Sequence, residues 1–372
     1  MLIVRAPDTF SIWSILFGSV AFLIGGGTPV ITAMVWTILT DSTSPTNRTT
    51  LFYQMHAMML ILSAAFRPVA AWLLSIDPWL PMWIGLVALI LSMFSTLLIP
   101  ETLQLSKLSN PQHPSHLKSG GGLLRTALAS ATKELFRIWH FILGSKHIML
   151  LVLADGLCNP IYIAFEMNML QYVTKRFNWD WSAATYLTTV NKVTSVIVLL
   201  VILPLVSRTV TKRYSMSVST RDLYLSRGSV LFIAAGSLCT AVAAAPWLLV
   251  VSLVVFSFGN GFPPQLRALL AGLVEQDSLA TLNTTLATAE TLMGLAGVPA
   301  LGWLLSEGIR LGGAWMGLPF LFTSLCAALA AAAMFVFRLP REAAGKDEGG
   351  YHLVSQPRRG AAAAGEVDES RL

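Results

Sequence analysis

Long uncharged apolar runs decide what this chain can be. Residues 12–39 contain no Asp, Glu, Lys or Arg, and neither do residues 81–99. About 20 such residues cross a bilayer as a helix. Nine runs reach or approach that length: 12–39, 51–75, 81–99, 148–172, 183–206, 229–244, 247–271, 283–305 and 315–338. The sixth is the shortest. A single aqueous core has no room for so many. Charged residues make up only 12% of the chain, about half the share in an ordinary soluble domain. The expected fold class is therefore all-α: a polytopic membrane protein with about nine transmembrane helices.

The basic residues orient the spans. With the C-terminus in the cytosol, loops 40–50, 101–147, 207–228 and 272–282 and the tail, counted from Arg338, face inward and carry 18 Lys and Arg. The outward segments carry four, Arg5, Lys175, Arg176 and Arg310. Basic excess marks cytosolic loops, so the net charge of +6 describes topology and not nucleic-acid binding. Trp79, Trp83, Trp179, Trp181, Trp247 and Trp315 then gather at the outer interface as an aromatic belt. The first run is too long for a cleavable signal peptide and lacks a basic flank. Cys158, Cys239 and Cys326 all fall in apolar runs and read as reduced thiols, not a disulfide frame.

Two glycine stretches repeat. "GGGTPVITAMVWTILTD" runs from Gly25 to Asp41, and "GNGFPPQLRALLAGLVE" from Gly259 to Glu275. At one offset Gly25 falls on Gly259, Gly27 on Gly261, Pro29 on Pro263 and Asp41 on Glu275. The first three spans then map onto the last three. Two parallel six-helix halves are a transporter plan, and by that offset about 90 residues, three helices, would precede residue 1. Small residues let helices approach closely in lipid, so Gly25, Gly26, Gly27, Gly259 and Gly261 are expected to seat helices, with Pro29 and Pro263 as kinks.

The chain resembles the major facilitator superfamily, and its fungal members most. The resemblance rests on "LIGGGTPVITAMVWTILTDSTSPTNRTTLFYQ", "LLIPETL", "TRDLYLSRGSVLFIAAG", "FGNGFPPQLRALLAGLV" and "LATAETLMGLAGVPALGWLLSEGIRLGGAWMGLPF", and runs from about residue 10 to 340. It implies two helical bundles around a cavity that opens to each side in turn, here in incomplete form. Residues 1–100 would be the second half of the N-terminal bundle, 101–147 a cytoplasmic linker, 148–340 the C-terminal six-helix bundle, and 341–372 a disordered tail. Asp41 and Arg48 resemble the family's cytosolic gating pair; the alternative is solvated loop charge. The family's signature loop between its second and third helices has no counterpart here. Phe22 stands where many members carry an arginine, and Arg67-Pro68 where antiporters carry glycine-proline.

Charges within spans are expensive and mark cavities or partners. Asp155 and Glu290 each lie about 10–12 Å from the inner face, and Lys192 about 15 Å from the outer. The three are expected to form one polar cluster, with Asp155 and Lys192 on adjacent helices close enough to pair. The functional reading is a proton or substrate site; the alternative is a polar pair between helices. Arg67, deep in the second span, suits an anionic group of a substrate. Glu166 lies nearer the outer face, beside Asn159, Pro160 and Asn168. Arg267 is expected to reach outward to lipid phosphates.

Residues 123–143 place Leu124, Leu128, Leu135, Ile138 and Ile142 on one face, the pattern of a helix lying on the inner leaflet. His113 and His116 do not make a metal site. No nucleophile–base pair, metal spacing or phosphate loop is present, so neither enzymatic activity nor a cofactor is expected. The expected function is secondary transport of a small solute, with protons as a coupling partner, by a monomer in the plasma membrane rather than the vacuole. The alternative is a truncated, non-transporting membrane protein. Its discriminator is whether the transcript carries an in-frame extension with three further spans.

Overall fold

The computed structural model describes residues 27–41, 43, 45–77, 79–97, 146–214, 216–274 and 278–339. Among them every regular element is a helix. They are α1 (Gly27–Asp41), α2 (Pro45–Ile76) and α3 (Leu80–Leu97). After the linker come α4 (Lys146–Ile163) and α5 (Met169–Phe177), joined by a π-turn at Ala164–Asn168. α6 (Trp181–Ile197) runs through a second π-turn, Val198–Ile202, into α7 (Leu203–Tyr214). α8 (Val218–Val242), α9 (Pro246–Phe258), α10 (Phe262–Leu273), α11 (Leu279–Leu311) and α12 (Leu318–Val336) complete the chain.

Seven helical passages are long and apolar enough to cross a membrane; Ile31–Thr40 and Leu80–Ser95 are apolar but shorter. The protein is thus an integral membrane protein, with seven full-length spans among the described residues against the nine expected. The first expected span, 12–39, is described only from residue 27. The expected inner-leaflet helix at 123–143 and the tail from 341 lie outside the described residues.

The sixth span needs a correction. Hydropathy confined it to 229–244, whereas α8 starts at Val218, capped by Ser217, whose Oγ accepts from the Thr220 amide at 3.3 Å. A polar first turn extends a helix past its apolar stretch when a cap satisfies its free amides. The expected loop 207–228 shrinks to the turn between Tyr214 and Val218.

α4, α5 and α8–α12 share one core around Leu151, Phe165, Tyr172, Phe256, Phe320 and Phe337. Phe165 stacks on Phe256 at 3.7 Å between centroids and meets Phe320 edge-on at 5.2 Å. Tyr172 ties α5 to α8 by donating to the Thr240 carbonyl at 3.1 Å. Close approach sets this packing. A Cβ at Gly236 would lie 2.6 Å from Phe256 Cα, and one at Gly317 2.0 Å from the Ala241 carbonyl oxygen. At Gly297 it would meet Pro160 Cγ at 2.9 Å, so α4 and α11 cross with a proline ring over a glycine.

Arg227 of α8 ties down the end of α12. Its Nε donates to the Met334 carbonyl at 3.1 Å and its Nη2 to the Phe337 carbonyl at 2.8 Å. These are carbonyls that a helix end leaves without an internal partner. Arg227→Ala is expected to fray the last turn of α12 at a cost of about 2 kcal/mol. Hydrogen exchange of the amides near Phe337 checks it; unchanged protection contradicts it.

Candidate functional site

Two elements of the site come from opposite parts of the chain. α1 and α2 meet α6–α8, α10 and α11 chiefly at the basic end of the bundle. Arg48, 6% exposed, donates Nη1 to the Ala271 carbonyl at 3.2 Å. Thr49 donates to Asp222 Oδ2 at 2.6 Å. Arg221 grips the other oxygen, Oδ1, through Nε at 2.9 Å and Nη2 at 2.8 Å, and its Nη2 also reaches Thr49 at 3.2 Å. Asn283 of α11 donates to Thr37 of α1 at 3.0 Å. Trp36, Phe52 and Ala268 make one apolar cluster, and Tyr53 and Ala57 another with Val198, Leu199 and Leu203.

 The Arg48–Asp41 pair cannot be placed, because the Asp41 side chain lies outside the described residues, as do the Arg67 side chain and Gly25 and Gly26. Gly27 and Pro29 open α1.

The charges in the middle of the spans form two groups. In the first, Glu290 of α11 pairs with Arg267 of α10. Asp155 of α4, 4% exposed, has Glu290 and Arg267 as its charged neighbours. Its Oδ2 has no hydrogen-bond partner among the described residues, and neither does Arg267 Nη1. Asn159, one turn along α4 from Asp155, donates its amide to the Glu290 backbone carbonyl. In the second group, Lys192 of α6 pairs with Glu166. His56 of α2 is within electrostatic reach of both Arg267 and Lys192.

Two expectations are corrected. Lys192 does not pair with Asp155. It meets Glu166, which the π-turn Ala164–Asn168 carries to that side of the helix. A π-turn adds one residue to a helical turn and so rotates everything beyond it. Arg267 does not reach lipid phosphate; it is 5% exposed and turned inward onto Glu290. Asp155 and Glu290 do come together.

Gly259 and Gly261 form a short 3₁₀ turn between α9 and α10. A Cβ on Gly259 would lie 2.9 Å from the Ser229 carbonyl oxygen, and one on Gly261 2.2 Å from Leu203 Cδ1. Pro263 and Pro264 follow in the first turn of α10, where a missing amide costs nothing. Beyond the acid pair, a crevice of about 430 Å³ runs between α4, α5 and α11. Met167, Asn168, Gln171, Leu301, Leu305 and Ser306 line it. Reading the sequence alone missed Trp36, His56, Thr49, Arg221 and Asp222. For the last two the signal was present: a Ser-x-x-Thr cap directly before an Arg-Asp pair.

No family model matches the chain. It is 27% identical over 305 residues to the MFS-type transporter avaK of Aspergillus versicolor, covering 81% of this chain and 66% of that protein. It is 28% identical over 324 residues to the efflux pump ustT of Aspergillus flavus, covering 82% and 62%. It is 27% identical over 327 residues to the MFS efflux pump atnC of Emericella nidulans, covering 86% and 62%. The chain thus spans just under two thirds of the length of these relatives. Among solved structures, the human organic anion transporter MFSD10 (TETRAN) superposes with a TM-score of 0.53 at 13% identity, over 82% of this chain and 67% of that one.

Proposed function

We propose that the chain is a fungal-type transporter of the major facilitator superfamily, like the relatives it resembles, and that it exports a small solute by alternating access, driven by protons. The observation that carries the proton-coupled reading is the charge of the buried groups. Asp155, 4% exposed, and Glu290 share Arg267 as a charged neighbour, and Asp155 Oδ2 has no hydrogen-bond partner among the described residues. In this group two carboxylates share one described cation. A surplus carboxylate in a low dielectric is costly until it binds a proton or another cation. Such a site holds a proton in one state and gives it up in another.

With the basic end in the cytosol, the contacts of Arg48, Thr49 and Asn283 close the cytosolic side. Arg48 then acts as a gating residue toward the Ala271 carbonyl, and Asp41 stands at the same end. Arg67 is assigned to the cavity as a substrate contact. Export is the direction because two of the relatives are named efflux pumps. The protein works as a monomer in the plasma membrane, with α1–α3 and α4–α12 as the two moving bodies.

The test is accumulation of a panel of small organic solutes in cells expressing the chain. Expression is expected to lower accumulation of at least one solute, and a protonophore to restore it. Lower accumulation that survives the protonophore contradicts proton coupling. Unchanged accumulation of every solute contradicts export.

A further inference from the structure

The acid group and the closure at the basic end meet at one side chain, Arg267. Its Nη2 pairs with Glu290, and its guanidinium carbon lies 5.2 Å from the ring centroid of Trp36 on α1. Both residues are buried, Trp36 at 3% exposure and Arg267 at 5%. Trp36 also meets Phe52 of α2, edge-on at 4.9 Å between centroids. Ala268, the residue after Arg267, packs into the same cluster. The Arg267 guanidinium therefore bridges a carboxylate on α11 and an indole on α1. Its Nη1 has no hydrogen-bond partner among the described residues, so the Glu290 pair is its main anchor.

We propose that Trp36 is a positioning residue that links the charge of the Asp155–Glu290 pair to closure of the cytosolic end. The inference rests on the proton-coupled reading above. With Glu290 ionised, Arg267 is held beneath Trp36, and α1 stays docked on α10 and α11. Once the acid pair takes up protons, the buried guanidinium loses its counter-charge. A buried cation without a partner is costly, so it moves toward water and leaves Trp36. A cation over an indole is attracted most strongly where water is excluded, so this departure removes a substantial contact between the two halves. The groups facing the pair are Cys158 and Tyr162 on α4 and Arg267 on α10. Arg267 and Lys192 on α6 are in turn within electrostatic reach of His56 on α2.

The test is disulfide cross-linking between Thr37→Cys and Asn283→Cys, whose native side chains hydrogen-bond. The background is the full chain with Cys158, Cys239 and Cys326 replaced by Ala, in liposomes. Cross-linking is expected to be high in alkaline medium and to fall as the medium is acidified. Trp36→Leu is expected to lower the alkaline yield about tenfold and to flatten the pH profile. Trp36→Phe keeps an aromatic face and is expected to keep the slope. A wild-type slope in Trp36→Leu overturns the link, as does a lower yield with the slope intact, which is mere packing. Should the Leu variant not reach the membrane, Glu290→Gln serves: its profile must be flat, and a wild-type slope overturns the link equally. Cross-linking needs no solute. A chain that moves no solute but keeps this slope contradicts the transport reading and not the link. A transporting chain whose slope survives Trp36→Leu contradicts the link alone.

Discussion

Glu290→Gln is expected to abolish proton-coupled transport and to destabilise the bundle by about 3 kcal/mol. The size follows from what the change leaves behind. Gln keeps the shape of Glu but not the charge, and Arg267, 5% exposed, keeps its own. Removing one partner of a buried ion pair costs about 3–5 kcal/mol, most of it from the stranded charge. Asp155 lies near enough to answer part of that charge, which sets the expectation at the low end. A second substitution separates the two contributions. Glu290→Gln with Arg267→Met removes the stranded cation, so the double variant should be more stable than Glu290→Gln alone, while transport stays lost. Non-additivity of this kind is how a double-mutant cycle reports a direct interaction. Thermal unfolding in detergent and solute flux, measured on all four chains, check it. Additive stabilities contradict a direct pair.

The second large effect is steric. Gly317→Ala is expected to prevent α12 from seating, and Gly236→Ala to push α8 from α9. A Cβ at residue 317 would sit 2.0 Å from the Ala241 carbonyl oxygen and 2.8 Å from its carbon; at residue 236 it would sit 2.6 Å from both Cα and N of Phe256. These neighbours are backbone atoms, which cannot rotate away as a side-chain tip can. Overpacking a well-filled site costs about 1–3 kcal/mol when side chains can yield, and here the helices themselves must part. Gly228→Ala is the control. Nothing lies within 4 Å of its added carbon, and alanine is favoured over glycine within a helix by about 1 kcal/mol. The yield of folded protein after size-exclusion chromatography should fall sharply for the first two and hold or rise for the third. Equal yields for all three contradict this packing.

The helices were legible in the sequence because lipid imposes a length and a composition on each. The expected 247–271 became α9 and α10, Pro246–Leu273, and 283–305 became α11, Leu279–Leu311. Where a cap extends a helix beyond its apolar stretch, hydropathy stops too early, as at Val218. Asp155, Glu166, Lys192, Arg267 and Glu290 were legible too, since a charge in an apolar run stands out, whereas His56, Arg221 and Asp222 were not. The pairing of the first five was not. Which face of a helix Glu166 occupies depends on a π-turn that no residue type announces, and that turn decided the partner of Lys192. Arg267 was misread because its depth suggested an outward reach, whereas rotation of α10 turned it inward. Trp36 was invisible for a different reason: an aromatic in an apolar run carries no sign of the cation that will lie over it.

The central claim is that a solute and a proton exchange through one buried site. The most direct measurement places the purified chain in liposomes with a pH-reporting dye inside and adds members of a solute panel one at a time. A transported solute is expected to drive protons in the opposite direction, and Asp155→Asn and Glu290→Gln are each expected to remove this flux. Solute movement without any proton movement, equal in the wild type and both variants, would contradict it.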